Sequence, residues 1–590
     1  MLFGKHINKF YLKYLPQLLL GIIALVVVDY MQLKIPELYG YIVGVLNGME
    51  SEFTKEVLLR KVCIPMFFII LSMVGGRFVW RICFFGGGIR VETDLRSEMF
   101  DRLKDMSQTY YRKNKIGNLM SLFTNDLETV QDCFGSGVLM FCDAAFLGLL
   151  ALYRMFCVNG LMTLFALIPM MILLSGSLIL SKFLTKRWQV RQEAFSNLSD
   201  FSQESFSGIA VIKAFVKESK ELMAFRKLNK DNEEANIDYV KLSTKLNIAL
   251  TLLVESVICL VLGYGGYLVF TDAAGFSASR LVEFIGYFTS VVWPVMAISQ
   301  LVEMRSRGKA SLDRISELLD SKTDISDRAD VEDPGELKGN IEFRNLSFTY
   351  PESEREVLHS VSFKIKAGES IGIVGKTGCG KTTLVDLILR TCNVPDGTVF
   401  MDGHDVNRIP IHTVRKYCAY VPQDNFLFSE TIANNISFAS DTDEKEKILL
   451  AAQRSDVHDN IMEFKDQYDT VLGERGVTVS GGQKQRISIA RALMKDAAVL
   501  ILDDSVSAVD IDTEKKILRN LKETRKGKTT ILIAHRISTI QDLDRILFME
   551  DGRVTAFGTH TELMNSCAAY RNMVALQKLD DAAKEDEKHE

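Results

Sequence analysis

The sequence predicts a multidomain chain in which an all-α, six-helix transmembrane domain precedes an α/β domain. Two observations predict this order. The first is a set of long runs without Asp, Glu, Lys or Arg, all within the first 320 residues: Tyr14–Val28, Val62–Gly76, Met155–Ser181, Ser256–Thr271 and Phe284–Val302. The second is an acidic stretch, residues 321–339, beyond which short apolar strand-like segments begin.

Six membrane spans follow from the apolar runs. A helix needs about 20 mostly apolar residues to cross the hydrocarbon core. The run Met155–Ser181 contains Asn159-Gly160, a turn signal, so we divide it between two spans. Another span lies near residues 134–157, interrupted only by Asp143 and Arg154. We therefore expect spans near 15–45, 58–85, 134–157, 161–181, 247–270 and 280–303.

The loops predict the orientation of these spans. Segments near 47–57, 158–160 and 271–279 are short and contain one basic residue, Lys55. Segments near 86–132 and 182–246 are long, helical in period and rich in Lys and Arg. Loops rich in Lys and Arg stay in the cytoplasm. Both termini are therefore expected to be cytoplasmic, and a soluble all-helical core explains this one-sided charge poorly.

Several ionisable residues fall inside the predicted spans: Asp29, Arg77, Arg81, Asp143 and Glu255. A charge at mid-bilayer costs about 2.5–3.5 kcal/mol on insertion scales, so such groups usually face a partner or a water-filled cavity. Two interpretations stay open. These residues line a substrate cavity with Phe67, Phe68, Phe288, Trp293 and Met296, or they pair with one another or lie near the headgroups. The second is favoured for any single residue.

Charge and cysteine content exclude several other classes. The chain has 590 residues with 70 basic and 75 acidic side chains. Residues 1–320 hold 34 basic and 30 acidic groups, and residues 321–590 hold 36 and 45. This acidic C-terminal part argues against a DNA-binding domain and against nucleic acid as a partner. Ten cysteines without a CxxC pair argue against a disulfide scaffold or a structural zinc site.

A phosphate-binding motif opens the second domain. We place a transmembrane domain at 1–320, a linker at 321–339, a nucleotide-binding domain at 340–579 and a charged tail at 580–590. A strand over Ser370–Val374 is followed by residues that fit GxxxxGK[ST] and lead into a helix: Gly375, Lys376, Thr377, Gly378, Cys379, Gly380, Lys381, Thr382 and Thr383. In such an α/β P-loop fold, Lys381 would reach the β- and γ-phosphates of ATP and Thr382 would ligate Mg²⁺.

Two further segments identify the family that this sequence resembles. Val499–Leu502 is an apolar strand that ends in Asp503 and Asp504. Val479 precedes Ser480, Gly481, Gly482 and Gln483, an SGGQ element that other P-loop proteins lack. The chain resembles the ATP-binding cassette (ABC) family over essentially its whole length. Six spans followed by one cassette resemble an exporter half-transporter.

The resemblance implies roles for further residues. Tyr350 resembles the aromatic that stacks on adenine, Gln423 the glutamine that touches Mg²⁺, and Asp503 the aspartate that binds Mg²⁺. His535 resembles the histidine that bonds the γ-phosphate. Glu474-Arg475-Gly476 resembles an exporter element that contacts the coupling helices, and Ser507–Asp510 the segment that crosses the cassette–cassette interface. Short coupling helices are implied near Thr109–Ile116 and Gly208–Lys217.

Asp504 departs from the family pattern, in which the carboxylate after the Mg²⁺-binding aspartate is usually glutamate. That residue orients the attacking water, and a carboxylate withdrawn by about 1 Å costs on the order of 10²-fold in rate. Only Val479, in place of the usual leucine, departs from the signature. The combination resembles the degenerate-site subunit of heterodimeric bacterial exporters, with a homologous half-transporter as partner. A homodimer that hydrolyses ATP slowly is the alternative.

An ATP-binding regulatory or channel-like subunit is a second hypothesis, against which the intact Gln423 and signature speak. The sequence leaves the cargo open among drugs, lipids and hydrophobic peptides. For Cys379, a helix N-terminus lowers a thiol pKa and predicts reactivity, but occupancy of a small-residue position is preferred. The resemblance implies a multi-pass protein of the bacterial plasma membrane.

Overall fold

The chain forms two units. The computed structural model describes residues 4–48, 55–271, 276–351, 353–440, 444–473, 476, 478–507 and 509–589. One unit comprises Met1–Lys104 and Lys115–Ser321, and the other Asp105–Asn114 and Lys322–Glu590. The first long connecting segment, near 86–132, thus belongs partly to the C-terminal unit, where Ser107 Oγ lies 3.3 Å from Asp324 Oδ2.

The first unit is helical throughout its described residues. Two π-helical turns, Leu59–Cys63 and Leu122–Asp126, lead into long helices. In chain order the helices are α1 (Asn8–Lys13), α2 (Leu15–Leu46), α3 (Lys55–Leu58), α4 (Ile64–Lys104), α5 (Gln108–Lys113, which belongs to the second unit), α6 (Ile116–Ser121), α7 (Leu127–Val158), α8 (Gly160–Ser207), α9 (Ile209–Ala214), α10 (Glu218–Phe270) and α11 (Ala278–Asp320).

The helices agree closely with the predicted spans. Among the described residues, five helical segments are long and apolar enough to cross a membrane: Leu15–Leu46, Lys55–Lys104, Ile116–Val158, Glu218–Phe270 and Ala278–Asp320. The remaining predicted span, 161–181, lies on α8. Only its first part, Gly160–Ile172, forms a described apolar segment, and the side chains of 173–174 and 177–182 lie outside the described residues. That span stays a prediction.

Helices α2, α4, α7 and α11 pack into a bundle held by close approach and by buried polar contacts. A Cβ on Gly76 would lie 2.5 Å from Val28 Cγ2, so glycine allows α4 to approach α2. At one end of the bundle, buried Asp126 pairs with Arg314 and accepts a hydrogen bond from Ser311 Oγ at 2.6 Å. These contacts tie α11 to the start of α7.

The second unit is an α/β domain. Its strands are β1 (Ile341–Thr349), β2 (Glu356–Ile365), β3 (Ser370–Gly375), β4 (Val399–Met401), β5 (His404–Asp405), β6 (Cys418–Val421), β7 (Val499–Asp503), β8 (Thr529–Ile533), β9 (Arg545–Glu550) and β10 (Arg553–Gly558). Its helices are α12 (Lys381–Ile388), α13 (Ile411–Tyr417), α14 (Ile432–Ser437), α15 (Lys445–Arg454), α16 (His458–Met462), α17 (Gly481–Met494), α18 (Ile511–Thr524), α19 (Ile537–Ile540), α20 (His560–Ser566) and α21 (Ala568–His589).

Sheet order sets which loops meet. The strands form a four-stranded sheet, β2-β1-β4-β5, and a six-stranded sheet, β10-β9-β3-β8-β7-β6. In the larger sheet β3, β8, β7 and β6 run parallel. Their residues are almost all buried because both faces of the sheet are covered. The loops that follow these four strands therefore lie at one edge of the sheet, where ligands bind in open α/β sheets.

Candidate functional site

The phosphate-binding loop follows β3 and depends on glycine at defined positions. A Cβ on Gly375 would lie 2.2 Å from the Met549 carbonyl oxygen, so no larger residue fits there. Gly378 and Gly380 have φ values of +83° and +96°, a region that favours glycine. Helix α12 starts at Lys381 directly after the loop, which directs its first N–H groups toward an anion.

Lys381 is held inside this loop. Its side chain is 7% exposed, and Nζ donates to the carbonyl oxygens of Gly375 at 2.8 Å and Lys376 at 3.1 Å. Lys376, Thr377 and Thr382 are exposed, whereas Cys379 and Thr383 are buried. The loop therefore presents backbone and the Thr382 hydroxyl outward while its lysine is already positioned.

Asp503 ends β7 next to the loop. It is 2% exposed, and its Oδ2 has no hydrogen-bond partner within the described structure. Burial raises the pKa of this carboxyl group, and a hydrogen bond with the side chain of Thr382 opposes the rise. An unpartnered buried carboxylate oxygen beside a hydroxyl is a donor set of the kind that Mg²⁺ prefers. The predicted pairing of Thr382 with Asp503 thus fits a magnesium ion.

Asp504 adopts an unusual backbone conformation. Its φ is +46°, in the left-handed region, where Asp and Asn are found more often than other non-glycine residues. Its N–H donates to the Ile533 carbonyl at 3.0 Å, and its own carbonyl accepts from Ser507 Oγ at 2.9 Å. The backbone at Asp504 is thereby fixed between β7 and β8, while its side chain is only partly buried.

His535 lies just beyond β8, in a loop held by a residue that we did not predict. Gln577, on α21, donates from Nε2 to the His535 carbonyl at 2.7 Å and accepts from the Ile537 N–H at 2.8 Å. The imidazole itself is exposed. No local pattern around Gln577 signals this role, because the contact joins residues about 40 positions apart.

Gln423 and Tyr350 differ in how far their side chains are held. Gln423 follows β6 and is exposed, and its carbonyl accepts from Asn425 Nδ2 at 3.4 Å. Tyr350 is half-buried, with its hydroxyl 3.0 Å from Thr383 Oγ1 and 3.4 Å from Asp386 Oδ2 on α12. The tyrosine ring is thereby tied to the helix that carries the phosphate loop. Its stacking on adenine stays a prediction.

The SGGQ element forms the start of α17. Ser480 Oγ accepts from the Gln483 N–H at 3.2 Å, and Gln483 Oε1 accepts from the Ser480 N–H at 2.9 Å, a reciprocal capping box. Gly481 and Gly482 form the first turn of that helix. Val479 packs in a different hydrophobic cluster from Cys379 of the phosphate loop. The SGGQ element therefore forms a helix N-terminus of its own, separate from the phosphate loop of this chain.

Asp510 caps another helix, α18. Its carboxylate accepts from the Thr513 N–H at 2.9 Å, and hydrogen bonds from the backbone and side chain of Thr513 lower its pKa. The neighbouring predictions at Ala508 and at Glu474-Arg475 lie outside the described residues. An N-capping role accounts for Asp510 within this chain, and its predicted interface role is untested.

The structure places only some of the candidate cavity residues around one cavity. Asp29, Arg77, Arg81, Asp143 and Trp293 line one cavity of about 350 Å³. The lining of that cavity does not include Glu255, Phe67, Phe68, Phe288 or Met296. The apolar runs alone could not separate these two sets, because the side-chain direction depends on how the helices pack.

Comparison with known proteins identifies the class. Residues 18–295 match the ABC transporter transmembrane region, and residues 358–507 match the ABC transporter ATP-binding model. Together with relatives that align along nearly the whole chain, these matches show that it belongs to the ABC transporter family. Proteins of this family couple ATP hydrolysis to transport across a membrane. The predicted fold class, a helical transmembrane domain followed by an α/β nucleotide-binding domain, is confirmed.

The relatives include bacterial exporters. The chain is 36% identical to YheI of Bacillus subtilis, a probable multidrug resistance ABC transporter ATP-binding/permease protein, over 98% of this chain and 97% of YheI. It is 33% identical to MdlA of Escherichia coli, a multidrug resistance-like ATP-binding protein, over 95% of each. An ATP-dependent lipid A-core flippase of Syntrophus aciditrophicus is 31% identical over 89% of this chain and 87% of its own length. A bacterial Atm1-family ABC exporter with ATP bound shares the fold, with a TM-score of 0.77 at 23% identity, covering 97% and 98% of the two chains.

Proposed function

We propose that this chain is one half of an ATP-driven exporter that moves a hydrophobic or amphipathic molecule out of the cytoplasm. Relatives named as multidrug proteins and as a lipid A-core flippase support this cargo class. The basic segments near 86–132 and 182–246 support a cytoplasmic position for both termini and for the nucleotide-binding domain. A bacterial plasma membrane fits the sources of these relatives.

The residues of the phosphate loop would hold ATP. Lys381 would exchange its two carbonyl contacts for phosphate oxygens, and the first N–H groups of α12 would stabilise the same negative charge. Thr382, Asp503 and Gln423 would hold Mg²⁺, which neutralises charge on the phosphates when it is bound. His535 would donate a hydrogen bond toward the γ-phosphate, positioned through its backbone by Gln577.

The finer part of the proposal, weak hydrolysis by this chain, rests on Asp504. A water molecule that attacks the γ-phosphate needs a base at hydrogen-bonding distance. The Asp504 backbone is fixed by Ile533 and Ser507, so the missing methylene cannot be recovered by a shift of the chain. We infer that the site on this chain binds ATP well but hydrolyses it weakly.

A second, homologous chain would then supply the strong site. Cassettes of the resembled exporters sandwich ATP head to tail, so the signature of one chain completes the phosphate loop of the other. Ser480 and Gly482 stand at the N-terminus of a well-capped α17, which is suited to bind phosphate across an interface. This chain would contribute a competent signature to a site whose glutamate belongs to its partner.

The test is the ATPase activity of the purified chain alone and with a co-purified homologous half-transporter. We expect weak activity alone, vigorous activity in the pair, and little change on Asp504→Ala in the pair. Cargo uptake into vesicles should require both chains and ATP hydrolysis. Vigorous activity of this chain alone would establish the homodimer instead. Uptake that persists without hydrolysis would support a channel-like subunit.

A further inference from the structure

The cavity in the membrane unit carries both signs of charge within the predicted spans. It holds about 350 Å³ among α2, α4, α7 and α11 and is lined by Asp29, Arg77, Trp80, Arg81, Asp143 and Trp293, with apolar residues between them. Asp29 and Asp143 stand near the centres of α2 and α7, each 32 residues long. Charged groups at that depth are costly and usually serve a function.

The carboxyl group of Asp29 is not fully satisfied by the protein. Asp29 is 2% exposed, and its Oδ2 has no hydrogen-bond partner within the described residues. The carboxyl group of Asp143 lies within hydrogen-bonding reach of Asp29, and its own Oδ2 accepts from Trp293 Nε1 at 2.7 Å. Two ionised carboxylates this close repel each other. An ammonium group at this point would satisfy Asp29 Oδ2 and remove the repulsion.

The arginines do not supply that cation. Arg77 and Arg81 are exposed to the cavity, and neither pairs with Asp29 or Asp143 among the ion pairs of the described residues. The guanidinium of Arg81 instead lies 5.5 Å from the centre of the Trp80 ring. Positive and negative groups thus line one cavity without forming an ion pair among the described residues.

We propose that this cavity binds a zwitterionic amphiphile. The ammonium group lies between Asp29 and Asp143, a phosphate or carboxylate lies against Arg77 and Arg81, and the apolar part packs on the indoles. The inference rests on the proposed export function and adds the charge pattern of its cargo. A simple cation or anion would satisfy only half of the site and would face the repulsion of the other half.

Tryptophan fluorescence can report binding directly. The chain has three tryptophans, Trp80, Trp188 and Trp293, so Trp188→Phe leaves the two cavity indoles as reporters. Three soluble probes with the same chain carry different charges: hexylphosphoethanolamine, hexyl phosphate and hexylammonium. Titration of the full-length chain without nucleotide should give a Kd for the zwitterion at least about tenfold lower than for either other probe.

Charge-removing variants test the assigned contacts. Asp29→Asn and Arg77→Gln should each weaken zwitterion binding about tenfold. Glu255→Gln removes an intramembrane carboxylate outside the cavity and should bind as the parent does. Equal affinity for all three probes, or unchanged binding in both Asp29→Asn and Arg77→Gln, would overturn the inference. The binding assay contains no nucleotide, so it does not depend on ATP-driven transport. If the zwitterion does not bind, the chain can still export another cargo. If export fails, a measured binding of the zwitterion still stands.

Discussion

Two regions of the same sheet differ in how their side chains are held. One is the phosphate-binding loop, and the other is the edge that carries Gln423, Asp504 and His535, here called the hydrolytic edge. Lys381 and Cys379 are buried, and the lysine already has two hydrogen bonds that fix its amine. At the hydrolytic edge the side chains of Gln423 and His535 are exposed, and Asp504 carries the shorter carboxylate. In one region the lysine is already held by hydrogen bonds, whereas the other presents side chains for which the described residues show no hydrogen bond.

The proposed function separates nucleotide binding from hydrolysis within one domain. Phosphate recognition uses backbone N–H groups and glycine, which the fold positions by itself. Water activation depends on the reach of a side chain to within about 3 Å of its target. A single methylene can therefore remove hydrolysis while leaving ATP binding unchanged.

Asp504→Glu should remove the difference between the two regions. We expect the ATPase rate of this chain alone to rise about 10²-fold, because glutamate restores the missing methylene, with little change in ATP affinity. Glutamate in the left-handed conformation costs about 1 kcal/mol, so the melting temperature should fall slightly. Steady-state hydrolysis and nucleotide titration measure both quantities.

Asp504→Asn is the matched control for this experiment. Asparagine tolerates the same backbone conformation and keeps the side-chain length, but it cannot accept a proton. Its ATPase rate should stay at or below that of the parent. If Asp504→Glu were no faster than Asp504→Asn, side-chain reach would not be the cause of weak hydrolysis.

Ser480 should matter more than Asp504 in the complex with a homologous chain. Ser480→Ala removes both the cap of α17 and a phosphate ligand, so turnover should fall at least about tenfold. Ser480→Asp separates these roles, because aspartate caps helices well but repels phosphate. The aspartate variant should therefore keep the parent's melting temperature and lose turnover. Full turnover in Ser480→Asp would contradict a phosphate role across the interface.

Gln577 should have a smaller effect, confined to the hydrolytic edge. In an Asp504→Glu background, Gln577→Ala removes both hydrogen bonds to the His535 loop and should lower kcat about three- to tenfold at unchanged KM for ATP. Gln577→Glu keeps the acceptor for Ile537 but loses the donor to His535, so its kcat should be intermediate. Leu576→Ala, an exposed neighbour on α21, is the control and should leave kcat unchanged. A raised KM with normal kcat would place the effect in binding.

The sequence predicts those features of the fold and site that depend on neighbouring residues. Charge-free runs predict α2, α4, α10 and α11, and an apolar segment interrupted only by Asp143 and Arg154 predicts α7. A strand–loop–helix motif predicts the phosphate site. Contacts between distant segments carry no such signal. The hydrogen bond from Gln577 to His535 and the proximity of Asp29 to Asp143 depend on how helices and loops pack. The left-handed conformation of Asp504 likewise depends on its contacts with Ile533 and Ser507.

Cys379 gives the smallest expected effect and tests how closed the phosphate loop is. Its thiol is 4% exposed, and burial raises its pKa despite the opposing charge of Lys381. A raised pKa lowers the thiolate fraction at pH 7–8, so N-ethylmaleimide should not modify Cys379 in the folded protein. Mass spectrometry should find label at Cys379 only after denaturation. ATP binding should survive the treatment and match that of Cys379→Ser. If ATP binding is lost on alkylation and protected by Cys379→Ser, the thiol is reachable and the loop opens, and the contrast between a closed binding region and an open hydrolytic edge fails.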